Sequence, residues 1–449
     1  MTISRTIGTA VAAGVFAFAL TAGGCRDAKP ENPRQALTVA YHLGGSDGRQ
    51  KHWEAWKARF EQDNPLWELQ MAHVAPATAR GSYIAAGNAD ALPDLLQLFD
   101  LTDWLAQEGY VDSLPAGFIQ QFALKAPAGG QVYGAGGGVR LCGIAVNASL
   151  ASAAGIKEPP ENWVQFLGCL RKMQQHLAES GRGAQGCRAL IWGSDWSARL
   201  PLEMAICADL YARGAATADW AAVRGDDKTS FASAKPAETI VGNLVELVRE
   251  FVAEQRPAAL TYEKQRETFF QGKAAFWFTG TWIGSDIAAF PGSVEVDFWP
   301  MPSMVGRSST FIAAAAEGGW GLARGLEEPR RQAAVKALEA LLATEVYQAY
   351  LDAEGCLAQP SNVSARVAGA AGRTGTFYEN VRRRYDACGA VGGLHARGQT
   401  PPGFEGALER ACRGMLEDAL ARRVTDIPLM LTRFDEAWDQ GQTQAVEGP

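Results

Sequence analysis

The side chains of this chain best equipped for chemistry are aromatic and polar residues that follow short apolar runs. Trp282 stands between Gly280 and Gly284 in "FFQGKAAFWFTGTWIGSDI" (269–287). Trp320 follows Gly318 and Gly319, and Asp195 and Trp196 close "RALIWGSDW". Asp100 ends "PDLLQLFD", Arg140 interrupts the glycine-rich "GGGVRLCG", and Gly45 and Ser46 follow "ALTVAYHLG". Indole faces at strand ends offer flat apolar surface, while Asp, Arg and backbone N–H groups offer planar hydrogen bonding. Each residue also has a plainer reading. The three tryptophans can pack, Asp100 can cap the next helix, and Arg140 can sit in a surface ion pair. Trp277 belongs with packing, because in "AAFWFTG" it points opposite to Phe276 and Phe278.

Catalytic chemistry has little support. The acidic neighbours Asp100 with Asp103 and Asp226 with Asp227 would suit glycoside hydrolysis, but such pairs usually mark a solvated face. No HExxH, GxSxG or Walker motif occurs. The five histidines are scattered; only His42 and His52 are near one another, without metal-ligand spacing. Gly134 and Gly136 begin a loose GxGxxG that fails at Val139 and precedes a strand instead of opening a helix. No metal or cofactor is therefore expected. A net charge of −7 supplies no basic face for nucleic acid.

Positioning these residues takes more than one core. At 449 residues, two domains are the default. The chain opens with alternating elements: a strand at "ALTVAY", a helix carrying Trp53, Trp56 and Phe60 on one face and stopping at Asn64–Pro65, then a strand at "WELQMAHV". A helix through "TARGSYIAAGN", a buried strand at "PDLLQLFD" and a short helix ending at Gly109 follow. That order predicts an α/β domain with a largely parallel sheet. Further on, "NWVQFLGCLRKMQQHL" and "VGNLVELVREFVAEQ" read as amphipathic helices. "EVDFWPMP" reads as a strand, and "PRRQAAVKALEALLATEVYQAYLDAEG" as one long helix closed by Gly355. Two more helical stretches, from Phe404 and Pro428, complete the tail.

The first residues read as an export signal. Arg5 precedes sixteen uncharged, mostly apolar residues (7–22), too short to span a bilayer. The segment ends "LTAGGC" at Cys25, and the polar stretch "RDAKPENPRQA" follows as a tether. Seven cysteines remain beyond Cys25, an odd number without a CxxC. They are expected to be buried thiols plus one or two bridges.

Several landmarks in order resemble one family. These are the lipobox-like Cys25, "FEQDNP", "AAGNADALPDLLQL", "VYGAGGGVRLCGIAVNASLASAAGIKEPPENWVQF", "FFQGKAAFWFTGTW", "EGGWGLARG" and "GCLAQPSNV". Together they are similar to the carbohydrate-binding solute-binding proteins of bacterial ABC importers, extracellular family 1. Two positions depart from the family's pattern: Ala22 stands where Leu is usual before the lipidated Cys, and Val146 where Tyr often precedes Asn147. The resemblance implies an α/β, two-lobed periplasmic-binding-protein fold of type II-like topology, with a ligand cleft between lobes joined by a hinge. It implies a signal peptide (1–24), a lipidated tether (25–36), a first lobe (37–140 plus 312–355) and a second lobe (141–311 plus 356–449). The expected function is capture of a sugar in the cleft and delivery to permease subunits in the membrane, by a lipid-anchored, monomeric, non-enzymatic protein. A sugar's flat C–H faces stack on indoles and its hydroxyls pair with Asp, Asn or Arg. Trp282, Trp320, Asp195, Trp196, Asp100, Arg140, Gly45 and Ser46 are thus the expected ligand contacts. The same fold binding glycerol-phosphate or another small anion is the alternative, for which Arg140 would act as a clamp. A polysaccharide-acting enzyme and a sensor or scaffold lipoprotein are the alternatives of other classes.

Overall fold

Leu37, Val39 and Tyr41 alternate with smaller residues along β1 (Gln35–Tyr41), and the two sets enter different cores. This period of two seats the strand at the centre of a sheet covered on both faces. The computed structural model describes residues 34–43, 47–75, 78–99, 101–122, 124, 131–211, 230–252, 260–290, 294–306, 308–313, 319–358, 373–392 and 404–447. The first sheet also contains β2 (Trp67–His73), β3 (Leu95–Gln97), β4 (Val111–Asp112) and β12 (Trp320–Ala323). Its order is β2-β1-β3-β12-β4, parallel across the first three strands, with β12 antiparallel to both neighbours. The helix Asp47–Asp63 covers one face and buries Trp53, Trp56 and Phe60 there, as the spacing predicts.

The second sheet is built differently from the first. Its strands are β6 (Leu141–Asn147), β7 (Arg188–Ile191), β8 (Ala274–Gly280), β9 (Val296–Trp299), β10 (Met301–Pro302), β11 (Ser309–Ala313) and β14 (Ala390–Gly392). β6 runs antiparallel to β8, β9 and β11, so the sheet is built on a mainly antiparallel centre. Because β11 pairs with β6, residues 312 and 313 belong to this sheet, past the boundary expected at 311/312. Along β8, Phe276 and Phe278 enter one core and Trp277 the other, as their alternation requires.

The expected long helix is two helices, Arg330–Leu341 and Thr344–Glu354, separated where Ala343 takes an extended conformation (φ −58°, ψ 137°). The break lets the second helix lie along Asp47–Asp63 of the first lobe while touching Gly284–Ala289 of the second. A two-stranded ribbon, β5 (Gly138–Val139) with β13 (Leu357–Ala358), joins the lobes at this point. All seven described cysteines are free thiols, and four are buried, so the expected bridges are not formed. Among the described residues, no helix is long and apolar enough to cross a membrane.

Candidate functional site

β8 ends at Gly280, and a single 3-10 turn, Thr281–Ile283, presents Trp282. The indole folds back over Gly280, where a Cβ would lie 2.0 Å from the ring, so only glycine leaves room for it. Trp282 Nε1 donates to Tyr262 Oη at 2.6 Å. Tyr262 opens the helix Tyr262–Phe270, and Trp196 opens a 3-10 turn after β7. The Trp196 ring centre lies 5.0 Å from Tyr262 and 6.4 Å from Trp282. Trp196 is 40% exposed and Trp282 half-buried, while Tyr262 and Trp277 are sealed beneath them. Burial pushes the Tyr262 hydroxyl well above its ordinary range, so it stays a neutral phenol that accepts from Trp282. The three rings make a tiered apolar surface on the second lobe.

This surface abuts the hinge. Gly355 is left-handed (φ 63°), and a Cβ on it would fall 2.3 Å from Trp282 Cα. Thr281 Oγ1 donates to Gly355 O at 2.6 Å and accepts from Leu141 N at 3.1 Å, tying two chain crossings to the second lobe. The neighbouring Glu354 carboxylate is almost fully buried. Arg49 grips it through Nε and, at 2.7 Å, Nη2. Arg140 Nη2 donates to the same carboxylate, and Arg140 Nε to the Glu354 carbonyl at 3.0 Å. Burial would raise the pKa of Glu354, but the hydrogen bonds from Arg49 and the charge of Arg140 outweigh it and hold the group below the usual carboxylate range.

The first lobe brings polar groups to the carboxyl ends of its parallel strands, where open α/β sheets present ligand sites. His42 N donates to Gln97 Oε1 at 2.9 Å, and the His42 and His73 rings are 5.8 Å apart. Burial, Arg49 and His73 all depress the His42 pKa, leaving a neutral imidazole at pH 7. Behind it, His52 is completely buried against Tyr41 Oη (2.7 Å) and its pKa falls to about 3.

Residues 55–371 match the sequence model of the bacterial extracellular solute-binding proteins. The chain belongs to that family. No curated protein sequence matches it. Solved structures share the fold across nearly all of the chain at low identity. A chitin oligosaccharide binding protein superposes with TM-score 0.68 at 16% identity, covering 92% of this chain and 100% of its own. A solute-binding protein in complex with raffinose gives 0.65 at 14%, covering 91% and 99%. A sugar transporter from Bacillus licheniformis in complex with stachyose gives 0.64 at 14%, covering 91% and 100%. The molecule is thus a two-lobed, exported solute-binding protein.

In this solute-binding protein the expected contacts scatter. Trp196 and Trp282 come together. Asp195 lies beside them, but its carboxylate accepts from Ser197 N, Ser197 Oγ and Tyr262 N. Arg140 faces Glu354, a charged partner but not the surface one its plainer reading supposed. Trp320 has no exposed surface: its indole packs between Tyr41 and Trp56 and donates to Ala40 O at 2.9 Å. In this conformation it offers a ligand nothing. Gly45, Ser46, Asp100 and Cys25 lie outside the described residues. Tyr262, Arg49 and Glu354 escaped the sequence reading. Tyr262 sits at a helix start with Thr261 as its cap, a detectable signal, whereas nothing local marks the other two.

Proposed function

We propose that the protein captures a carbohydrate between the Trp196–Tyr262–Trp282 surface of the second lobe and the polar strand ends of the first. It then delivers the sugar to the permease of an ABC importer. The single observation that carries this reading is the half-exposed indole pair beside the hinge. Such a surface stacks on pyranose C–H faces, and lobe closure would bring hydroxyl partners from the opposite side. Relatives of the same fold that hold raffinose or stachyose support the ligand class. Arg140 weighs against the small-anion alternative, since its guanidinium already grips Glu354 through both Nε and Nη2. We further read Cys25 as the lipidated residue of a monomer held at the membrane, with a tether of 26–33, shorter than the expected 25–36 because Gln35 and Ala36 already belong to β1. The residues of the first lobe are taken as 34–135 with 319–355, and those of the second as 141–313 with 373–447.

A thermal-shift screen of raffinose, stachyose and chitin oligosaccharides against glycerol-phosphates tests the proposal. A sugar at one hundred times its Kd should add about 2.7 kcal/mol to stability. A transition moved only by the phosphates would overturn the sugar reading. Turnover of a glycoside, lost on mutating one carboxylate, would overturn the binding reading.

A further inference from the structure

Asp195 has too few free lone pairs to be a good sugar contact, and its partners are all residues that build the aromatic surface. Its Oδ1 accepts from Ser197 N (3.0 Å) and Ser197 Oγ (2.6 Å), and its Oδ2 from Tyr262 N (2.7 Å). One carboxylate thus caps two elements at once: the 3-10 turn that opens with Trp196, and the helix that opens with Tyr262. The bonds continue inward. Gln265 Nε2 donates to Ser197 Oγ at 2.6 Å, and Gln265 Oε1 accepts from Trp277 Nε1 at 3.0 Å. Gln265 and Ser197 are both almost fully buried, and both take part in this chain of bonds. Gly193 makes room, since a Cβ there would sit 2.0 Å from Gln265 Nε2. From Tyr262, the hydroxyl reaches Trp282 Nε1.

We infer that Asp195 is a positioning residue for ligand capture: it fixes the backbone at Trp196 and Tyr262, and through Tyr262 the indole of Trp282, so that the stacking surface stands preformed. The inference rests on the proposed reading of that surface as the sugar site. The chemistry requires a carboxylate. Asparagine can still accept from Ser197 through Oδ1, but its amide nitrogen would meet the Tyr262 N–H as donor against donor. Ordering the two rings in advance removes that entropy from the binding step.

The test uses the full chain labelled with 5-fluorotryptophan, with the Trp196 and Trp282 fluorine resonances assigned by Trp196→Phe and Trp282→Phe. In the sugar-free protein, Asp195→Asn should shift or broaden both resonances and leave those of Trp53 and Trp56 in place. Raffinose or whichever glycan binds should then bind roughly tenfold more weakly, the size of one charge-assisted hydrogen bond. If both resonances stay in place while affinity falls, Asp195 touches the sugar directly and the inference is overturned. If neither changes, it is overturned as well. If the resonances move but no glycan binds even the wild type, the positioning stands and the sugar reading fails. Should Asp195→Asn not fold, Ser197→Ala removes the hydroxyl bonds alone: movement of the Trp196 resonance supports the inference, and an unmoved one sinks it.

Discussion

Two tryptophans stand just after glycines, in "GTWIG" and "GGWGL", yet one is left half-buried on the second lobe and the other is sealed in the core of the first. The glycines explain why. Gly280 is bare because the Trp282 ring lies back across it. Gly319 is bare because another chain crosses it: a Cβ there would meet Ala135 O at 2.0 Å. Ala135 and Trp320 exchange both backbone hydrogen bonds at that crossing. Glycine before tryptophan therefore reports close approach, and only the approaching partner decides whether the indole is left uncovered. In the second lobe the partner is the tryptophan itself, and the ring stays half-buried. In the first it is backbone, and the ring is driven under the sheet.

The contrast can be broken most forcefully at Trp320. Trp320→Ala should destabilise the protein by about 3–5 kcal/mol, the usual cost of emptying a packed indole site, read from urea unfolding. Loss of ligand affinity with stability intact would reverse the assignment. The first lobe should also carry an acid sensitivity at His52. His52 has a folded pKa of about 3 against 6.5 in the unfolded chain, so its contribution is whole above pH 6.5 and is lost as pH falls toward 3. Between pH 6.5 and pH 5 this amounts to roughly 2 kcal/mol. His52→Phe should remove that much of the pH dependence, and an unchanged slope would show that the imidazole is not held neutral. Trp282→Ala should weaken sugar binding by about ten- to a hundredfold in calorimetry, with a smaller stability loss than Trp320→Ala. Trp196→Ala sharpens the comparison least, about three- to tenfold in affinity. Equal affinities for the wild type and both single variants would remove the ligand from this surface altogether.

What was legible in the sequence was local. The alternation through Phe276, Trp277 and Phe278 and the helical face of Trp53, Trp56 and Phe60 depend only on neighbours, and both are found as read. Glycine and proline stops at Gly109, Pro65 and Gly355 are equally local. The antiparallel centre of the second sheet was not legible, because β6, β8, β9 and β11 come from four separated stretches with no tight turn between β6 and its partners. The hinge cluster was invisible for the same reason: Glu354 lies 214 residues from Arg140 and 305 from Arg49. Asp195 was chosen for its place after a strand, but its three donors were not readable there, since one of them is the backbone of Tyr262, 67 residues on. Periodicity reports which face is covered; it does not report by what.

The free cysteines carry a practical consequence. Cys142, Cys207 and Cys412 lie in the core of the second lobe, Cys356 stands at the hinge against the core of the first, and burial pushes the thiols of Cys142 and Cys412 far above neutrality. A thiol in that state is a poor nucleophile toward alkylating reagents. The second lobe and the hinge therefore each contain a chemical clock, started only when that region opens. Iodoacetamide labelling followed by peptide mass analysis would time Cys356 against Cys412, and so rank how often the hinge and the second lobe open without any probe being built into the molecule.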